Sequence, residues 1–449
     1  MRVLSPTDPA FNALVASSHQ RFARLVAEAE TKARPFYKKV LGHEASIEQV
    51  IDEILAAVEA EGDAAVARYG QIFDGAALDP AKLRVTEAEI EAGWNATDPT
   101  LRAAMVTAIE QVRAYQTRLL PKGFGEDLTE SLGVRWSPLT RVGAYVPGGA
   151  QGSLPLFSSV IMNLVPAVVA GVPEPVLVTP PRPDGTLAPE LLAAAKAVGI
   201  REIYKVGGIQ AIAALAVGTA TIKAVDLICG PGNIFVTLAK KRVFGRVNID
   251  MLAGPSEVLV IADGAADPRF IAADLLSQAE HDTLAVAICL GVGAQADAIA
   301  AEVQRQLAAL PAARRTTAEA SIAHHGVLVR CGNLDEAIAI SNRIAPEHLE
   351  VLVEDPKTVV PRLTNAGAIF VGPWSPEPIG DYVAGPSHTL PTGGTARRWS
   401  GIGVDTFMKR TSLINLSEQD FRRLAPAGLA LARGEGLEAH ARSIEVRLG

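Results

Sequence analysis

The chain has 449 residues, with 42 Lys+Arg against 49 Asp+Glu for a formal net charge of −7, and 49% hydrophobic and 20% charged residues. Such a length holds several domains with large cores, and the mild, dispersed acidity offers no electrostatic footprint for nucleic acid or an anionic membrane. Three cysteines are too few for a disulfide scaffold or a Cys-built zinc module and fit a reducing cytoplasm, so any metal must find imidazole, carboxylate or amide ligands.

Met1 to Phe22 lacks an uninterrupted apolar core and does not read as a secretory signal. The segment to residue 44 and the acid- and alanine-rich Ile47–Tyr69 read as helical. Val142 to Pro173 carries no charge, yet Pro147, Pro155, Pro166 and Pro173 interrupt it. No apolar run there approaches the ~18–20 residues of a membrane span, and a buried strand, a glycine-rich turn and a buried helix are expected instead.

From Arg141 onward, β-like and helical runs alternate: Val142–Val146, Leu154–Ala170, Val176–Thr179, Pro189–Val198, Glu202–Val206, Ala211–Ala216, Ala224–Ile228, Phe235–Arg242 and Val258–Ile261. Strands joined by helical crossovers predict a parallel, doubly wound sheet covered on both faces. The pattern resumes with helix Phe270–Glu280, strand Leu284–Leu290, helix Asp297–Leu310, strand Gly326–Arg330, helix Leu334–Ile344 and strands Leu349–Val353 and Ala368–Val371, a second α/β unit. The Gly-rich loop Gly380–Gly403 and a small tail follow.

Five features carry candidate chemistry. Gln278 and His281 stand three apart at a helix end, on one face, where both could ligate a metal or simply be solvated. Glu347-His348 follows a helix stop at Pro346 and precedes a β-like run, a place for a general-base pair or for plain turn charges. Asp381 and His388 are the polar groups of a Gly/Pro-rich loop that is long for a connector. Glu435 and His440, five apart, are solvated in an isolated tail or complete a site on a neighbouring subunit. Turns at Tyr145–Gly149, Gly207–Gln210 and Gly230–Asn233 each link a β-like run to a helix, where backbone N–H groups approach a phosphate, although none spells G-x-G-x-x-G and tight packing explains them equally. Cys229, Cys289 and Cys331 lie in or beside β-like runs, as small buried hydrophobes do, which argues against a thiol nucleophile.

In their joint order, these segments closely resemble the histidinol dehydrogenase family. Gly62–Ala65, Phe73-Asp74-Gly75, Gly254–Glu257, Gln278–Asp282, Pro346–Glu350, Gly380–Arg397 and Glu435–His440 carry the resemblance together with the three turns. It implies an α/β fold of two doubly wound, incomplete Rossmann-like domains, with a helical segment at 1–44, one domain at 45–144 and 256–400 for zinc and acid–base residues, an NAD-binding domain at 145–255 and a tail at 401–449 that reaches a partner in a homodimer with shared active sites. It implies one Zn2+ held by Gln278, His281, Asp381 and the partner subunit's His440, with Glu347 and His348 as acid–base pair. Ser256, His388 and Glu435 would contact substrate along with the zinc ligands and His348, and Tyr145, Gln210 and Asn233 would contact NAD+. The implied reaction, in the cytoplasm, is oxidation of L-histidinol to L-histidine through the aldehyde with two NAD+. A sulfonate-diol dehydrogenase of the same fold, a zinc hydrolase and a non-enzymatic nucleotide-binding protein are the competing readings.

Overall fold

Val/Ile/Leu runs buried on both sides form the centre of each sheet in the computed structural model, which describes residues 1–18, 21–148, 155–293 and 295–449. Glu257–Ala262, Val286–Val292, Gly326–Cys331, His348–Leu352 and Ala368–Val371 join the short Arg2–Leu4 in a six-stranded parallel sheet. Successive residues point to opposite faces: Leu259, Ile261, Ile288 and Leu290 enter one core, and Val258, Val260, Ala287 and Cys289 the other. Helices Pro268–Ala279, Ala296–Ala309 and Ala312–His325 cover the second face, and Leu334–Ile344 the first.

Arg141–Tyr145, Glu174–Thr179, Glu202–Lys205, Leu227–Cys229 and Asn248–Ile249 form a five-stranded parallel sheet. In chain order its strands lie 3-2-1-4-5, and the last five strands of the larger sheet repeat that order. Each sheet therefore reverses between its first and fourth strands, the topological switch where doubly wound folds open a crevice. Both sheets belong to one compact unit, Met1–Leu119 with Thr140–Phe407. A second unit, Leu120–Leu139 with Met408–Gly449, holds the antiparallel pair Leu132–Pro138 and Met408–Ile414 and the helices Glu418–Gly434 and Glu438–Glu445.

Several expected elements are amended. Ile47–Tyr69 is two helices, Ile47–Glu61 and Asp63–Asp74, because Gly62 at φ 59° ends one and starts the next. Asp381 lies on the short helix Glu377–Tyr382 rather than in an irregular loop. The opening segment contributes a strand as well as helices, and Ala312–His325 is a helix without an apolar stripe distinct enough to read. Gly149 and Leu154 lie outside the described residues.

Candidate functional site

Glu257 and His348 begin neighbouring strands, with His348 in register with Val258. That register sets Glu347 against the start of the other strand, where its Oε2 accepts the Glu257 N–H at 2.8 Å. His348 Nδ1 lies 3.1 Å from the Glu257 carbonyl, so Nδ1 donates there and Nε2 faces the cavity, 3.3 Å from Asp381 Oδ1. Both side chains are buried, and Glu347 Oε2 is 3.6 Å from His348 Nδ1. Burial pushes the Glu347 carboxyl up; burial also works against charge on His348, but Glu347 and Asp381 more than offset it and hold the imidazole's proton.

These groups occupy the amino edge of the six-stranded sheet, not the carboxyl edge where α/β sites usually open. The preceding helix ends explain it. Pro268–Ala279 delivers Gln278 in its last turn, the His281 N–H bonds back to the Gln278 carbonyl at 3.2 Å, and the chain then enters Val286–Val292. Ala345, left-handed at φ 55°, turns the chain out of Leu334–Ile344 just before the Glu347-His348 pair.

Gln278 is wholly buried, yet neither amide atom has a hydrogen-bond partner among the described residues. A buried amide with no partner costs free energy that a ligand on its oxygen would recover. Donor atoms of His281, Glu377 and Asp381 lie within 4.8 Å of one another, a set able to hold a divalent cation. Glu377 was not expected from the sequence. Its signal is the four-residue spacing to Asp381 on one helix. Behind it, the Glu377 N–H donates to Glu350 Oε1 at 2.8 Å, and burial holds a proton on Glu350 that is shared with Asp274.

His388 donates from Nδ1 to the Asp381 carbonyl at 3.0 Å and faces Ser159 Oγ through Nε2 at 3.2 Å, and burial keeps its ring neutral. Ser256, His281, Glu347, His348, Asp381 and His388 line one cavity of about 170 Å³. Ser159 at its wall and Asn163, which accepts from Thr389 Oγ1 at 3.2 Å, are polar residues inside a helix that reads as uniformly apolar.

A larger cavity, about 650 Å³, opens at the carboxyl edge of the five-stranded sheet. Tyr145, Gln210 and Asn233 all line it, with Asp74 and, from helix Arg21–Leu41, Phe36. Asn233 Oδ1 caps the helix Ile234–Val243. The preceding Gly230 sits at φ 105°, and a Cβ there would lie 2.1 Å from the Tyr145 carbonyl oxygen, so only glycine fits. A buried ion pair holds this turn from both sides: Asp250 Oδ2 accepts the Gly230 N–H at 2.8 Å, Lys240 Nζ donates to the Gly230 carbonyl at 3.0 Å, and Lys240 pairs with Asp250 Oδ1.

Glu435 caps the end of helix Glu418–Gly434 and His440 lies on Glu438–Glu445, both exposed in the second unit. The cysteines are buried and free, with Cys289 and Cys331 pushed up to about 12 by burial and Cys229 raised for the same reason. Such thiols are poor nucleophiles.

The family model for histidinol dehydrogenase matches residues 38–448. A histidinol dehydrogenase of Moorella thermoacetica is 54% identical over 400 residues, covering 88% of this chain and 93% of the relative. One of Synechococcus sp. is 52% identical over 404 residues, covering 89% and 92%. The crystal structure of histidinol dehydrogenase from Elizabethkingia anophelis matches with a TM-score of 0.85 at 36% identity, over 90% of this chain and 93% of that one. Together these matches establish that the chain belongs to the histidinol dehydrogenase family.

Proposed function

We propose that the chain oxidises L-histidinol to L-histidine through L-histidinaldehyde, using two NAD+, in the last steps of histidine biosynthesis. The observation that carries this reading is the donor cluster of His281, Glu377 and Asp381, with His281 and Asp381 on the crevice that Glu347 and His348 also line, and with the wholly buried Gln278 amide, partnerless among the described residues, three positions before His281. Gln278, His281 and Asp381, with His440 of the partner subunit, would hold one Zn2+, and Glu377 is a further donor on this chain. When bound, zinc would supply a Lewis-acid anchor for the substrate's nitrogens, and Asp381, engaged as its ligand, would hold the His348 proton less firmly. Tyr145, Gln210 and Asn233 would hold NAD+ in the cavity they line, where it would supply the hydride acceptor for each step.

His348, its Nδ1–H committed to the Glu257 carbonyl, accepts the substrate hydroxyl proton at Nε2 as the alcohol becomes aldehyde. Glu347, anchored by the Glu257 N–H and made a stronger base by burial, takes a proton from the water that adds to the aldehyde. As that water adds, His348 Nε2–H returns its proton to the aldehyde oxygen, and Nε2 is then free to accept the hydrate's hydroxyl proton as the carboxylate forms. Ser256 and His388 bind the substrate at the cavity wall. No thiol takes part.

Exposed Ile414, Leu431 and Val446 on the second unit support a homodimer in which Glu435 and His440 serve the partner's site. No helix among the described residues is long and apolar enough to cross a membrane. The biosynthetic family is what supports a cytoplasmic enzyme. The test is NADH formed per histidinol consumed, before and after chelation. Two NADH per histidinol, lost on chelation and restored by zinc, is expected. One NADH, or turnover indifferent to chelator, contradicts the reading.

A further inference from the structure

Asp74 is doubly misplaced by ordinary criteria. It is buried, and it ends the helix Asp63–Asp74, where the negative end of the helix dipole disfavours a carboxylate. Burial accordingly raises it to about 7. Left-handed Gly75, at φ 72°, turns the chain away and leaves Asp74 facing a different helix, Gly208–Val217, at its N-terminus.

There the carboxylate accepts two hydrogen bonds, one from the Gly207 N–H and one from Gln210 Nε2 at 3.0 Å. Gln210 is itself wholly buried, and its Oε1 has no partner among the described residues. Both residues line the large cavity. Once ionised, above about pH 7, the carboxylate only accepts, so the amide must then turn its nitrogen to Asp74 and its oxygen away from it, and the titrations below are made at pH 8.5. We infer that Asp74 is a positioning residue for the dinucleotide: by fixing the Gln210 amide it makes Oε1 an obligatory acceptor for an N–H or O–H donor of NAD+. This rests on the proposed occupation of that cavity by NAD+. It also gives the Phe73-Asp74-Gly75 motif a use, since Phe73 packs on Tyr69 at 6.0 Å between ring centres, Asp74 reaches across, and Gly75 ends the helix.

The rival reading is that Asp74 merely caps helix Gly208–Val217, whose own cap residue, Gly207, has no side chain to do so. Asn caps as well as Asp. Asp74→Asn therefore keeps the cap but presents an N–H as well as an oxygen, and the Gln210 amide is no longer forced into one orientation.

The experiment is NADH titration by fluorescence on the intact enzyme for Asp74→Asn, Gln210→Met, the double variant and Asn233→Ala, with histidinol KM and thermal melts alongside. Asp74→Asn should weaken NADH about ten-fold, the scale of one mispaired buried hydrogen bond, while histidinol KM stays unchanged. In the Gln210→Met background it should add nothing, because Asp74 acts through Gln210. Wild-type NADH affinity in a folded Asp74→Asn protein, or an equal further loss in the Gln210→Met background, overturns the inference while the cavity assignment stands. Unchanged affinity in both Gln210→Met and Asn233→Ala overturns the cavity assignment, and the inference with it.

Discussion

Replacing Lys240 with Met removes one charge from the buried pair that grips the Gly230 turn and leaves the hydrocarbon volume almost intact. Asp250 then stays buried with only its backbone donors, Gly230 N–H at 2.8 Å and Met251 N–H at 2.6 Å, and the Gly230 carbonyl loses its Lys240 donor. Breaking a buried pair from one side costs about 3–5 kcal/mol, and the two surviving N–H bonds put this case near the lower figure. At 1.4 kcal/mol per factor of ten, the turn should open about 10²-fold more often. Hydrogen-exchange mass spectrometry reads this directly, as faster exchange in peptides covering Leu227–Asn233 and Asn248–Met251. Lys241→Met, at an exposed neighbour, is the control and should exchange as wild type. Protection within about three-fold of wild type in Lys240→Met would refute the claim that the pair, rather than the surrounding packing, holds the turn.

His348→Asn should slow histidinol oxidation by ~10² to 10⁴, whereas Glu347→Gln should spare the first hydride transfer and slow conversion of supplied aldehyde; stopped-flow NADH traces from each half-reaction separate them, and equal losses contradict the division of labour. His281→Asn should lose bound zinc by elemental analysis, and retention of metal would remove His281 from the ligand set. Mixing His348-defective with His440-defective subunits should restore some turnover, and a verified mixed dimer without rescue argues against a shared site. Asp74 keeps its proton up to about pH 7 in the fold against 3.8 when exposed, so its contribution to stability is full below pH 3.8 and is lost as pH rises through 7. The melting temperature of Asp74→Asn relative to wild type should therefore rise between pH 5 and pH 8.5, and a difference that does not change with pH counts against it.

The repeating strands and helices were legible because each parallel strand is a two-sided apolar run, and helices such as Pro189–Val198 and Leu334–Ile344 fall at the expected residues. Gln278, His281, Glu347, His348, Asp381 and His388 announced themselves as polar groups at element ends or in an irregular loop, and all of them but Gln278 line one crevice. Other parts were silent for physical reasons. Arg2–Leu4 is an edge strand of three residues whose partner, Gly326–Cys331, lies more than three hundred positions away, so no local pattern marks it. Leu132–Pro138 pairs with Met408–Ile414, and the two complete one another only in space. Glu350 and Glu377 read as ordinary acids until the fold buries them together, and nothing local ties Asp74 to Gln210, 136 positions along the chain and 3.0 Å away in space.

Placing the chemistry at the amino edge of the six-stranded sheet leaves the opposite edge unoccupied by it. The turns leaving that far edge at Gly264, Gly332-Asn333 and Glu354-Asp355 are exposed, and none carries a residue assigned a role. In a fold wound the usual way such loops are the ones evolution tunes and an engineer must leave alone. Here they are the natural attachment points for a fluorophore, an affinity tag or an inserted domain, because chain added there leaves the scaffold on the side away from the reacting groups.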